Sequence, residues 1–549
     1  MPALKKKSTF KYRPHMSVGS MSAEEDQKFL NDGFIETDDY AVLRDFESPK
    51  SILLGRTGAG KSAIISHIKA SSPNNAISID PQSLALNYLS NSNVLRFWAK
   101  QGVRLDIFYR LLWQHVFCVE LLNYHFKLKS EDEFTRLKDW VAGIVRKDPS
   151  KKAGIDYLQK WNGKFWLERE ERIKEITKNL ENNLEASVGT NIAALKADYK
   201  ENKIVSSEVI ERAQKIVNEI QIQHLSQVID LIADDLFDDP QRKIFITIDA
   251  LDNDWVEDEL RYKLIRALIE TVKKFRRIRS VKIIVALRND LLERVYETTR
   301  DPGFQAEKYE DLYARINWTR AQLKELIDKR IGLLFKDTYT NKKAEWSDIF
   351  PSTVRAGQDT FDYIVKRTLM RPRDAIAFVN AILEKAQGTE VITARTVLET
   401  ERVHSERRVN ALLDEWVALY PKLSRYIEVL KNKPTSFAYS NVEEKDLDDL
   451  ILSLISDADE TDPIENIARK TFENKSDYTF LKKELFNALF KVGFIGYKAQ
   501  SSYPYTYSYS GSTTSFQFNP ETKIQIHPMF WAYFNSQKIR GVLTEEDAD

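Results

Sequence analysis

The chain has 549 residues, and 42% of them are hydrophobic, enough material for about three or four domains with their own cores. Lys+Arg and Asp+Glu number 82 each, so the formal net charge is zero: no global field draws the chain to nucleic acid or to a membrane, and any basic surface must be local. The single cysteine, Cys118, excludes an intramolecular disulfide and fits a reducing cytoplasm.

In chain order, residues 1–21 carry Lys5, Lys6, Lys7, Lys11 and Arg13 without a following apolar run. They read as a mobile basic arm rather than a signal peptide. Residues 22–50 begin helically and lead into a strand. The next stretch, SILLGRTGAGKSAII at 51–65, is a short apolar strand, a glycine-rich turn and the start of an apolar helix. It matches the phosphate-loop pattern G-x-x-x-x-G-K-[ST] at every fixed position. Each required residue has a separate task. The glycines let successive N–H groups point inward at an anion. Lys61 reaches the β- and γ-phosphates, and the Ser62 hydroxyl ligates Mg²⁺. The helix N-terminus adds its positive end. The expected nucleotide cradle is Gly55, Arg56, Thr57, Gly58, Ala59, Gly60, Lys61, Ser62 and Ala63.

Residues 76–80 form a second candidate strand, ended by Pro81. A mostly helical region follows from about 84 to 235. The span 103–126 is the most apolar part of the chain. It carries Arg104, Asp106, Arg110, His115 and Glu120, so it reads as a buried or amphipathic helix and not a membrane span. Residues 167–235 alternate charged and apolar positions at helical spacing, as an inserted helical hairpin broken near Gly189 would. It reads equally as a solvated spacer or a partner-binding arm.

Buried β-rich runs return at 243–249 (KIFITID) and 281–287 (VKIIVAL), with a helix at 260–275 between them. Apolar strands alternating with helices predict a parallel sheet with helices on both faces. Asp249 at the end of one strand is the expected metal-holding acid, and Asp252, three residues on, is placed to orient or deprotonate an attacking water. Arg288 ends the next strand, as a γ-phosphate sensor or as one half of a surface ion pair. The run Lys273, Lys274, Arg276, Arg277, Arg279 and Lys282 reads as a basic patch or as cations favoured at a helix C-terminus.

From about 300 to 412 the pattern is nearly all helical. In it, Arg371-Pro372-Arg373-Asp374 opens a helix, with Pro in its usual place. Arg373 is the expected lid residue that senses nucleotide. Farther on, helices are predicted at 422–431, 445–456 and 479–491. Tyr503, Tyr505, Tyr507 and Tyr509 alternate before Gly511, and Phe516 and Phe518 alternate after it, which predicts a β-hairpin. Three helices and a hairpin read as a winged helix. Such a unit can bind DNA, and its third helix carries Lys482, Lys483 and Lys491. Residues 499–518 hold no Lys or Arg, however, which favours protein contact or packing over phosphate contact.

Taken together, GRTGAGKS, ITIDALD, ALRND and RPRD, in that order, resemble the STAND/AAA-type P-loop ATPases. The Asp-x-x-Asp spacing is similar to that of the KAP and NACHT branches, and RPRD to the lid motif of origin-recognition-type ATPases. The nearest likeness is to a bacterial P-loop ATPase group found in phage-defence loci. Gly102-Val103-Arg104-Leu105-Asp106, Trp113, Trp255 and Ile316-Asn317-Trp318 are further cues, and the likeness covers roughly residues 25–405.

The resemblance implies a P-loop NTPase core over 22–300 with a helical insertion at about 119–236. It also implies an all-α lid over 301–412; the residues beyond it read as a winged-helix domain over 415–540 and an acidic tail over 541–549. It implies ATP and Mg²⁺ as ligands, a homo-oligomer, and an effector protein acting in trans in antiviral defence. Nucleic acid binding through the winged helix is the rival, that of a DNA-binding ATPase of origin-recognition or transposition-regulator type. A third class is a scaffold with a structural nucleotide. One departure matters: the position after the metal-holding Asp, often Glu in AAA-type enzymes, is Ala250. Hydrolysis then falls to Asp252 and is expected to be slow. No motif distinguishes ATP from GTP.

Overall fold

The computed structural model describes residues 11–84, 89, 91–126, 139, 169–188, 207–219, 222–239, 241–253, 255–299, 305–336, 344–456, 462–474, 478–498, 500, 502–510 and 518–537. The chain divides into two compact units. One, the α/β unit, is formed by residues 36–56 and 61–316. The other, the helical unit, takes residues 57–60, those from 317 onward and those up to 35.

The α/β unit is built on five parallel strands: β1 (Ile52–Gly55), β2 (Ala76–Ile79), β3 (Ile244–Ile248), β4 (Val281–Arg288) and β5 (Tyr313–Arg315). Their order across the sheet is β2-β3-β4-β1-β5. All residues of β1 and β3, and all of β4 except Arg288, are buried. Because neighbours on a strand point to opposite faces, that burial means both faces are covered, which is why these runs are continuously apolar. Registers Gly55↔Arg288 and Ile248↔Val285 bring the ends of β1, β3 and β4 to one edge of the sheet. Helix α1 (Lys61–Ser71) packs on β1 and β4 through Ile64, Ile65 and Ile68.

The apolar span read from the sequence is helix α2 (Asp106–Phe126), which packs on α3 (Asp258–Phe275). Trp113 Nε1 donates to Leu264 O at 2.9 Å, and the rings of Phe117 and Phe275 meet edge to face. Helices Arg169–Val188 and Ser207–Glu219 of the inserted region pack together. The predicted break between them, and residues 140–168, lie outside the described residues. Among the described residues no helix is long and apolar enough to cross a membrane.

The helical unit contains α4 (Arg320–Lys336), α5 (Pro372–Lys385) and α6 (Ala394–Trp416). It continues into α7 (Glu444–Ile455), α8 (Pro463–Asn474) and α9 (Tyr478–Val492) with a three-stranded antiparallel sheet. The strands are β6 (Ser436–Ala438), β7 (Ile495–Lys498) and β8 (Lys523–Ile526), with β8 central.

Three expectations need correction. First, residues 11–21 of the predicted arm are packed, and the predicted start of the core, 22–35, also belongs to the helical unit. Tyr12 and Val18 are buried in the hydrophobic cluster of α4 and α5. Asn380 accepts from Val18 N and donates to Gly19 O, and Arg330 bonds both Val18 O and Asp26. A polar segment is fixed here by partners more than three hundred residues away, which no local pattern reveals. Residues 1–10 lie outside the described residues.

Second, the expected lid and C-terminal domain form one compact unit, while the α/β unit runs on to residue 316 through β5. Third, Tyr503–Tyr509 is not a strand. It makes one bridge, Thr506 to Tyr497, and ends in a tight turn at Ser508–Ser510. The alternation has another cause: Tyr505, Tyr507 and Tyr509 hydroxyls contact Ser436, Gln525 and His527, on β6, on β8 and just after it. Tyr507 lies so close over Gly496 that a Cβ there would meet its ring at 2.6 Å. The tyrosines strap the small sheet. Residues 511–517 lie outside the described residues.

Candidate functional site

In the α/β unit, chemistry gathers at the edge where β1, β3 and β4 end. Lys61 opens α1 and turns its ammonium back toward the end of β1, donating to Gly55 O at 3.0 Å and Arg56 O at 3.1 Å. Burial pushes its pKa down to about 8, against the opposing pull of Asp252, Asp249 and Asp290. A cation bonded to two carbonyls, in a place dry enough to weaken its charge, is an incompletely satisfied group suited to an anion. Ser62, next on the helix, bonds the Asp249 carboxylate.

Asp249 follows β3. Burial raises its pKa, partly offset by bonds from Ala250 N (2.8 Å) and Ser62 and by the charge of Lys61. Ala250 sits at φ +60°, in the left-handed region that costs a residue with a Cβ about 1 kcal/mol. That turn swings the chain so that Asp252 is exposed beside the site. Trp255 Nε1 to Leu251 O (3.0 Å) and Arg261 Nη1 to Asn253 O (3.0 Å) hold the turn.

Arg288, the last residue of β4, forks onto Asp290 through Nε–Oδ1 (3.0 Å) and Nη2–Oδ2 (2.7 Å), and its Nη1 reaches Asp252 Oδ2 at 3.5 Å. The predicted residues Lys61, Ser62, Asp249, Asp252 and Arg288 are thus brought together, with Asp290 as a partner that the sequence reading left without a role. Ser62 with Asp249 offers the hard oxygen donors that suit Mg²⁺. Ala63 lies in the first turn of α1.

The middle of the glycine loop, residues 57–60, groups with the helical unit. Gly58 (φ +76°) and Gly60 (φ +99°) adopt the conformation for which glycine is required. Three consecutive carbonyls there accept hydrogen bonds: Thr57 O from Arg371 Nη1 (2.8 Å), Gly58 O from Arg373 N (3.4 Å) and Ala59 O from Trp318 Nε1 (2.8 Å). Gly58 also has no room for a side chain, since a Cβ would lie 2.7 Å from Arg373 Cβ.

The two arginines of RPRD differ. Arg371 is fully buried, forked onto Asp374 (2.9 and 3.1 Å) and bonded to Glu415 (3.1 Å), and Asp374 also pairs with Arg408. Those carboxylates hold Arg371 charged despite burial, and the two arginines hold Asp374 well below the usual carboxylate range. Arg373, the expected sensor, is half-buried, and its Nε donates to Met21 O at 3.1 Å. The bonds from Trp318 and Arg371 to the loop are tertiary contacts. The signal available was the spacing of three between Arg371, the residue that precedes α5, and Asp374 in its first turn.

The basic run at 273–282 is largely tied internally. Lys273 donates to Lys308 O and Lys274 to Gln114, Arg277 pairs with Asp230, and Lys282 Nζ bonds Asp45 O and Ser48 O. In the expected recognition helix, Lys482 donates to Val442 O and lies over the Tyr439 ring.

Two similarities to known proteins accompany this geometry. Residues 321–413, which contain α5 and nearly all of α4 and α6, match the model of the FunZ-associated C-terminal helical domain. Across 97% of its length the chain is 23% identical to the putative transposon gamma-delta 80.3 kDa protein of Escherichia coli (strain K12), covering 68% of that relative.

Proposed function

We propose that this chain is an ATP-binding, slowly ATP-hydrolysing switch of the STAND/AAA type, with a P-loop NTPase core and a C-terminal winged helix. The observation that carries the reading is Lys61. Its ammonium is bonded to two loop carbonyls and weakened by burial, beside the bonded pair Ser62 and Asp249. A phosphate anion would complete its charge balance, and the loop N–H groups, with the N-terminus of α1, would complete the cradle. In this reading Gly55, Arg56 and residues 57–63 hold the phosphates, and Ser62 and Asp249 hold Mg²⁺. Mg²⁺, when bound, supplies neutralisation of charge on the phosphate oxygens.

The chain's own residues would divide the remaining work. Asp252, exposed and three residues beyond Asp249, accepts the proton of the attacking water. Arg288 stabilises charge developing at the γ-phosphate while Asp290 fixes its fork. Arg373 reports nucleotide from the lid. Ala250 gives no carboxylate where a stronger base would stand, so turnover is slow and the ATP-bound state long-lived, as suits a switch. Homo-oligomerisation, an effector partner and a role in antiviral defence belong to this proposal through the family resemblance alone. The name of the Escherichia coli relative favours the rival of a DNA-acting ATPase, which requires hydrolysis stimulated by DNA and weakened by salt.

Single-turnover hydrolysis tests the chemistry. Asp252→Asn is expected to lower the rate by roughly 10²–10⁴-fold with nucleotide affinity retained. Rapid hydrolysis undiminished in that variant would reject the assignment of Asp252 and the slow-switch reading with it.

A further inference from the structure

A phosphate cradle built from backbone N–H groups poses a problem at its outer side. If the amides of a tight loop converge on one point, the carbonyls of the same peptides point away from it and need donors of their own. In residues 57–59 the donors are known: the Arg371 guanidinium, the Arg373 amide and the Trp318 indole, one per carbonyl in succession. The two side-chain donors are themselves fixed. Arg371 is gripped by Asp374 and Glu415 in full burial, so its Nη1 has little freedom to leave Thr57. Trp318 packs on the hydrophobic cluster of α4 and α5, and its ring approaches Gly60 to 3.8 Å from where a Cβ would sit.

We propose that Trp318 and Arg371 are positioning residues that fix the peptide planes of residues 57–59, and thereby set the affinity of the loop for the phosphates of a nucleotide. The inference rests on the nucleotide-site reading above and goes beyond it. It gives Arg371 a part in shaping the loop, distinct from the sensing assigned to Arg373, and gives another to a tryptophan outside the glycine-rich motif. Because the loop amides cradle the α- and β-phosphates, loss of either donor weakens diphosphate and triphosphate alike. A sensor of the γ-phosphate would affect the triphosphate alone.

The experiment is calorimetric titration of the full chain with MgADP and MgATP, on wild type, Trp318→Phe and Arg371→Lys, with a thermal melt of each. Trp318→Phe keeps an aromatic ring against the hydrophobic cluster and removes the N–H donor. It should weaken both nucleotides by the same factor, about three- to tenfold, with little change in melting. Arg371→Lys should weaken both as well. Where its buried cluster fails to fold, Trp318→Phe alone decides the matter. Wild-type affinity for both nucleotides in a folded Trp318→Phe protein would overturn the inference, as would a loss confined to MgATP. Failure of wild type to bind either nucleotide would instead overturn the nucleotide-site reading, and the inference with it.

Discussion

Lys61 is a half-buried cation and Arg371 a fully buried one, and the chain treats them in opposite ways. Arg371 meets two carboxylates and a carbonyl, forks onto one of the carboxylates, and stays charged. Lys61 bonds two carbonyls, with acids near enough to pull on it but not enough to offset its burial. A satisfied cation is structure. An under-satisfied one beside a glycine loop is capacity for a ligand, held at a cost to stability on the order of 3 kcal/mol at neutral pH. The same contrast separates the strand-end acid Asp249 from Asp374. Asp249 is raised by burial and Asp374 is lowered by its arginines.

Substitutions at the two places should therefore part company. Asp374→Ala leaves Arg371 and Arg408 buried with a partner removed, and should cost roughly 3–5 kcal/mol in a urea melt. Asp374 binds protons more weakly in the fold than in the unfolded chain. Its contribution is present above the ordinary Asp range and is lost as pH falls below it, so the variant's deficit should shrink on acidification. Lys61→Met should do the reverse, raising stability by on the order of 1–3 kcal/mol while removing nucleotide binding. Loss of stability in Lys61→Met would break the comparison. At the smallest scale, Ala250→Gly should relieve the left-handed strain and add about 1 kcal/mol by the same melt.

What the sequence disclosed follows the range of the forces involved. The strands Ile52–Gly55, Ile244–Ile248 and Val281–Arg288 were readable because near-complete burial writes itself as continuous apolar runs. The loop, Asp249, Asp252 and Arg288 were readable because each sits within a few residues of a strand end. Tyr313–Arg315 escaped notice: three residues at a sheet edge carry no periodicity. The seating of residues 11–21 escaped too, since Asn380 and Arg330 supply its bonds from far along the chain. The tyrosine alternation was real but its partner was misread: the rings face β6, β8 and His527 across a gap in sequence.

The central claim is that Lys61 is held half-buried to receive a phosphate, and titration of MgATP into wild type and Lys61→Met at pH 7 and pH 9 tests it directly. The free lysine titrates near 8 and the bound one must be charged. The account therefore predicts saturable binding by wild type, about tenfold weaker at pH 9 than at pH 7 and accompanied by proton uptake, with none detectable in Lys61→Met. Binding by the variant equal to wild type, or none by wild type at either pH, would contradict it.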